Sequence, residues 1–174
     1  MSTPDFIRAL RKKVGTSMLQ VPTVGVLTVD ESNRVLLVRN RGVSEWTTPG
    51  GIVEPYESPS DAAVRETWEE SGVYVSLERV LGIFGGVQCA RTYPNGDQIS
   101  WVVTVFAARP VHGTPRPDNE ETEEARYFSR SELETLPCRP HLRMVLEAEN
   151  TGTSQTVFRP SLWEPNADPS LVPR

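Results

Sequence analysis

Between Pro49 and Val73 the chain reads PGGIVEPYESPSDAAVRETWEESGV, and this stretch constrains the fold more than any other. Pro49-Gly50-Gly51 interrupts any regular element, so a loop begins there. Ser58 and Ser60 offer N-cap oxygens, and Asp61 adds negative charge where a helix N-terminus favours it. Gly72 supplies a C-terminal stop, so the pattern predicts a loop and then a helix of about three turns ending at Ser71. Glu66, Glu69 and Glu70 stand three and four residues apart, which brings their carboxylates to one helix face.

Like charges so close repel unless something positive sits among them. Hard divalent cations such as Mg²⁺ take oxygen ligands, and carboxylates supply both oxygen and neutralising charge. The opposite face, with Ala62, Ala63, Val64 and Thr67, is small enough for close packing on a sheet. Trp68 breaks that pattern and is expected at the rim or against a neighbouring element. Taken alone, a short acidic run reads as a solvated surface. Here it belongs to a longer pattern, G-x5-E-x7-R-E-x-x-E-E-x-G followed by an apolar residue. Gly51, Glu57, Arg65, Glu66, Glu69, Glu70, Gly72 and Val73 fill it. This resembles the Nudix box, the signature of the Nudix hydrolases, with Thr67 where the family has an apolar residue.

The resemblance covers about Val21 to Glu149 and implies an α/β/α sandwich around a mixed β-sheet, in a single domain. Pattern alone gives only α/β or α+β. The expected organisation is an N-terminal helix and linker over 1–20, the Nudix domain over 21–149 and a C-terminal extension over 150–174. The implied reaction is hydrolysis of the pyrophosphate linkage of a nucleoside diphosphate derivative, with Mg²⁺ (or Mn²⁺) as cofactor. By position, Glu69 and Glu70 are the expected direct ligands and Glu66 a ligand or base, with the carbonyl of Gly50 or Gly51 completing the set. Arg65 joins the catalytic group, bracing the loop with Glu57. Many family members carry a further glutamate before an x-Arg-aromatic-aromatic strand. Glu120-Glu121-Thr122-Glu123-Glu124 precedes Arg126-Tyr127-Phe128 here, and Glu121 and Glu124 are the first candidates from this run.

Composition bounds these readings. With 174 residues, 37% hydrophobic and 24% charged, the chain can build one good core and not two, and reads as a soluble protein. A net charge of −5 argues against gripping a nucleic-acid polymer and leaves a small nucleotide substrate, reached through a divalent metal, as the expected partner. Cys89 and Cys138, outside any metal or redox spacing, suit a reducing cytoplasm. No apolar stretch approaches a membrane span, and the basic N-terminus lacks the apolar core of a signal peptide.

Along the chain, 5–14 predicts an amphipathic helix capped by Asp5, with Arg8, Arg11, Lys12 and Lys13 on its wet face. Residues 23–29 and 34–39 predict a hairpin, 73–84 a strand, and the turn 93–97 leads into 99–108, the strongest strand and expected at the centre. The segment 111–119 reads as a loop and 126–128 as a short strand. Ser129 or Ser131 caps a short helix, and 140–149 forms the last one. His112 and His141 lack accompanying ligands and are not expected to bind metal. Leu171–Arg174 matches what thrombin leaves of an appended tag.

Substrate choice is less legible, because residues outside the box read the moiety attached to the diphosphate. Arg39, Trp46 and Tyr93 are the candidate substrate contacts, Trp46 as a core or pocket-wall residue. ADP-ribose-hydrolysing members often carry a proline about fifteen residues past the box. Pro94 lies twenty-one past Val73, so that marker is absent. A tyrosine at a similar offset marks diadenosine-polyphosphate hydrolases, and Tyr93 is out of register with it. The alternatives are a catalytically silent nucleotide-sensing module and an RNA 5′-end pyrophosphohydrolase. Dimers are common in the family, so a homodimer is one expectation.

Overall fold

The computed structural model describes residues 3–150 and 155–158. Its elements run α1 (Asp5–Val14), β1 (Leu19–Thr28), β2 (Val35–Asn40), β3 (Trp46–Thr47), α2 (Pro59–Ser71) and β4 (Val73–Phe84). A 3₁₀ turn at Val87–Cys89 leads to β5 (Ala90–Thr92), β6 (Gln98–Gly113), β7 (Thr122–Phe128), α3 (Arg130–Thr135) and α4 (Pro140–Asn150). The tag-like residues and most of the C-terminal extension lie outside the described residues.

Two sheets form the middle layer. In the first, β6 is central, parallel to β1 and antiparallel to β4 and β5. In the second, β2 lies between β3 and β7, antiparallel to both. Side chains alternate from one face to the other with the strand period of two. Val24, Val26, Leu36, Phe106 and Ala108 point to one side, where Ala62 and Ala63 of α2 close a core. Leu27, Val29, Val35, Leu37, Val105 and Ala107 point to the other, where Leu142, Val145 and Ala148 of α4 close a second. A sheet layer between helices is the expected α/β/α arrangement, and the mixed sheet is present. A smaller cluster seats α1 through Ile7 on Val21, Ile52 and Ile99.

Four expectations need correction. The 23–29/34–39 hairpin does not form, for β1 and β2 meet only at the isolated bridge Val29–Val35. The reason is that both edges of β1 are taken. β6 pairs along one, and on the other Val24 and Val26 donate to the Gly51 and Pro49 carbonyls at 2.9 Å each. The segment 111–113 is not loop, because β6 continues through it, with His112 opposite Tyr74 and Gly113 opposite Val73. Pro4 rather than Asp5 is the N-cap of α1, and Asp5 lies in its first turn. Arg11 leaves the wet face and donates to the carbonyls of Ser17 and Gln98 at 2.6 Å, tying α1 to the start of β6.

Candidate active site

The box loop and α2 form as one unit. Ser58 accepts from the Asp61 amide at 3.1 Å, Pro59 sits at the first helical position, and Gly72 ends the helix in the left-handed conformation with φ +66°. Arg65 is the central clamp. It donates to both carboxylate oxygens of Glu57 at 2.8 and 2.9 Å, and to Glu66 and Glu69 at 3.0 Å each. It also reaches the Ile52 carbonyl at 3.3 Å, so one guanidinium fixes the loop to the helix. The hydrogen bonds from Arg65 hold the Glu57 carboxyl below its ordinary range, despite the opposing effect of burial. Arg65→Ala frees four polar partners together. It is expected to lower Tm by about 5 °C or more and to broaden the NMR signals of the box loop.

Glu70 is the unexpected member. It does not stand opposite the apolar face but on it, buried with Ala62, Ala63 and Thr67, and only 3% exposed. Its Oε2 accepts from the Gly50 amide at 2.9 Å. Burial, with the charges of Glu66 and Glu121 added, pushes the Glu70 carboxyl up to about 8, against the partial relief of that amide. Burial likewise raises Glu66 to about 7, opposed by Arg65 and reinforced by Glu69 and Glu121. Glu66 Oε2 lies 2.6 Å from the position a Cβ on Gly51 would take. Gly51→Ala is therefore expected to remain folded, since a carboxylate end can swing away, but to displace Glu66 and lower kcat about tenfold or more.

These side chains line a cleft of about 350 Å³. α2 contributes Arg65, Glu66, Glu69 and Glu70; the box loop contributes Ile52 and Glu54; Pro4 closes one end. The remaining wall is the loop before β7, which brings Asp118, Glu120 and Glu121. Thr122 Oγ1 lies 2.9 Å from the Glu70 carbonyl oxygen, and the Arg116 amide donates to the Ser71 carbonyl at 2.8 Å, so the loop wraps the end of α2. Among the described residues, seven carboxylates and one guanidinium line the cleft.

Of the candidates drawn from sequence, Arg65, Glu66, Glu69, Glu70 and Glu121 meet at this cleft, with Gly51 under Glu66. Four do not. Glu124 lies opposite Arg39 on neighbouring strands, and Arg39 pairs with both Glu123 and Glu124 while donating to the Val43 carbonyl at 3.1 Å. These charges neutralise one another away from the cleft. Trp46 is 6% exposed and packs edge-on against Phe128, at 4.6 Å between ring centres, inside the α4-side core. Tyr93 sits in the β5–β6 turn under the Arg91 guanidinium. Asp118 and Glu54 are not among the sequence candidates, and Glu120 stands behind Glu121 and Glu124 there. Glu120 belonged to the acidic run, whereas Asp118 and Glu54 carry no motif that marks them.

Whether this set suits a divalent cation can be judged from its chemistry. Every donor is a hard oxygen, and burial raises the two most buried acids, Glu66 and Glu70, towards protonation. Among the described residues no three such groups stand ready around one point, because Glu66 and Glu69 turn towards Arg65. Gly51 adds a carbonyl that already accepts from Val24 and has a second lone pair. The donor set would suit a hard divalent cation, held by Glu66, Glu69 and Glu70.

The model of the NUDIX domain matches residues 19–148. The chain belongs to the Nudix family. A MutT-like protein of Streptomyces ambofaciens is 32% identical over 102 residues, 59% of this chain and 59% of that protein. A putative 8-oxo-dGTP diphosphatase of Bacillus subtilis is 42% identical over 59 residues, 34% of this chain and 40% of that protein. The chain thus spans about half the length of these curated relatives. Among solved structures, a Nudix hydrolase from Nitrosomonas europaea superposes with a TM-score of 0.64 at 26% identity, covering 77% of this chain and 90% of its own. In Nudix terms, the cleft is the box helix facing the loop that precedes β7. No helix among the described residues is long and apolar enough to cross a membrane.

Proposed function

We propose that this Nudix protein is a divalent-metal-dependent hydrolase that cleaves the pyrophosphate linkage of a small nucleoside diphosphate derivative. The observation that carries the reading is the cleft with seven carboxylates and one guanidinium. Such a site repels a diphosphate by itself and attracts it once cations are bound, which gives the gathered acids a purpose. A bound divalent cation supplies charge neutralisation on the phosphate oxygens and lowers the pKa of water. Glu69 and Glu70 are the ligands in this reading, with Glu66 a ligand or base. Glu121, which lines the opposite wall, takes the proton of the attacking water in this reading. Arg65 pairs with Glu66 and Glu69 in the cleft wall and orients their carboxylates.

The relative named a putative 8-oxo-dGTP diphosphatase supports a nucleotide substrate, with no further resolution of the group attached to the diphosphate. Cys89 and Cys138 are free thiols, in keeping with a cytoplasmic enzyme. The deciding experiment measures phosphate release from NTPs, nucleotide sugars, ADP-ribose and dinucleoside polyphosphates with Mg²⁺ or Mn²⁺. Turnover of one class supports the reading; no turnover of any class by folded, metal-loaded protein points to a sensing module instead.

Metal binding has a readout of its own. With Glu66 and Glu70 near 7 and 8, ligation at pH 7 must displace protons. Titration with Mn²⁺ in weakly buffered solution is expected to release about one proton or more per ion, falling towards zero above pH 9. Binding without proton release at pH 7 contradicts the assignment of these two acids.

A further inference from the structure

We infer that Asp118 is a positioning residue that holds Glu121 in the cleft, an inference resting on the reading of Glu121 as part of the site. Asp118 Oδ1 accepts from three successive amides, those of Glu120 and Glu121 at 3.0 Å and Thr122 at 2.9 Å. Thr122 Oγ1 lies 3.0 Å from the same oxygen and 2.9 Å from the Glu70 carbonyl, its single proton lying between the two. Thr122 is fully buried, so this junction does not exchange its partners with water. Asn119 turns the chain in the left-handed conformation with φ +63°, and its amide donates to the Thr122 carbonyl at 3.0 Å.

The backbone of Glu121 is therefore gripped at both ends. Its N–H is held by Asp118, and its carbonyl accepts from the Arg41 amide at 2.9 Å. The Arg41 guanidinium also donates to the Asn119 carbonyl. The Glu121 carboxylate lines the cleft, near enough to Glu66 and Glu70 to raise the pKa of both. Asp118 lines the same cleft, yet four donors surround its Oδ1, which suits an organising role rather than a ligand role. Remove that acceptor and three parallel amides lose their common partner, leaving the turn free to open and carry Glu121 away from α2.

The test compares Asp118→Ala, Asp118→Asn, Glu121→Gln and the double variant D118A/E121Q on the substrate that the panel identifies. Amide hydrogen exchange at 120–122 is followed in parallel on metal-free protein. Glu121→Gln is expected to lower kcat about 100-fold. Asp118→Ala should lower kcat about tenfold or more with KM within about twofold, and the double variant should be no worse than E121Q alone. Asp118→Asn keeps an acceptor oxygen and should stay within about threefold of wild type. Exchange at 120–122 should quicken about tenfold in D118A and remain slow in D118N. Asp118→Ser, too short to reach all three amides, replaces D118A if that variant does not fold. Unchanged exchange in D118A, or losses that multiply in the double variant, overturn the inference. Wild-type kcat in E121Q overturns the reading beneath it, while the exchange data report separately on whether Asp118 orders the loop.

Discussion

Glu70→Gln is expected to lower kcat at least about 100-fold while making the metal-free protein more stable at alkaline pH. The activity loss follows from the proposed role of Glu70 as a metal ligand, an interaction worth about 3 kcal/mol in the transition state. The stability gain follows from linkage. The Glu70 carboxyl stands at about 8 in the folded protein against 4.5 for the free group. Between those values the folded state keeps a proton that the unfolded chain has released, so stability falls as pH rises from 4.5 to 8. Glutamine does not titrate, matches the shape, and can still accept from the Gly50 amide. In thermal unfolding with EDTA, wild type should lose Tm between pH 5 and 8.5 and the variant should lose less, by about 3 °C or more. Added Mg²⁺ should stabilise wild type and barely affect the variant. Equal turnover in the two proteins would mean that Glu70 is not a ligand, and parallel Tm profiles would mean that it is not strained by its burial.

Gly50→Ala is expected to have the largest effect on stability. Gly50 has φ +155°, outside the range that L side chains readily adopt. A Cβ there would overlap the Val24 carbonyl oxygen and lie 2.8 Å from Gly25 Cα. Both neighbours are backbone atoms of β1, which is held on its far edge by β6, so neither can yield cheaply. Strain of this kind costs about 1–3 kcal/mol before the clash is counted. The loop must then lift from β1, losing the bonds from Val24 and Val26 at 2.9 Å and the amide that satisfies Glu70. Urea unfolding should show a lower midpoint with an unchanged slope, by about 3 kcal/mol or more, or the protein should fail to accumulate folded. Gly51→Ala, whose Cβ meets only the end of the Glu66 side chain, is the control. If both variants unfold at the wild-type midpoint, the loop does not pack on β1 as described.

The box shows how far local signals reach. Ser58, Pro59, Asp61 and Gly72 act within a few residues, and the helix they delimit is the one found, Pro59–Ser71. The same holds for α4, opened by Pro140, and for the capping box in which Ser129 and Glu132 satisfy each other's amides. Convergence of Glu66, Glu69 and Glu70 follows from the helical repeat alone. Strand partners are different, because pairing depends on which edge is vacant. Residues 23–29 and 34–39 have hairpin spacing, yet the box loop and β6 occupy the edges of β1.

By itself, then, the sequence determined the loop–helix unit, its row of acids and the membership of the Nudix family, since each depends on spacings of eight residues or fewer. Tertiary structure decided which distant residues join that row. The acidic run offered Glu121 and Glu124 on equal terms, and they part because β7 begins at Thr122. Glu121 stays in the turn held by Asp118 and reaches the cleft, whereas Glu124 enters the ladder opposite Arg39 and is neutralised there. Trp46 goes to the core for a related reason, since β3 pairs with β2 and turns its ring onto Phe128. The depth of Glu70 was decided in the same way. The approach of the Gly50 amide across the β1 edge supplies a hydrogen bond to a carboxyl that is 3% exposed.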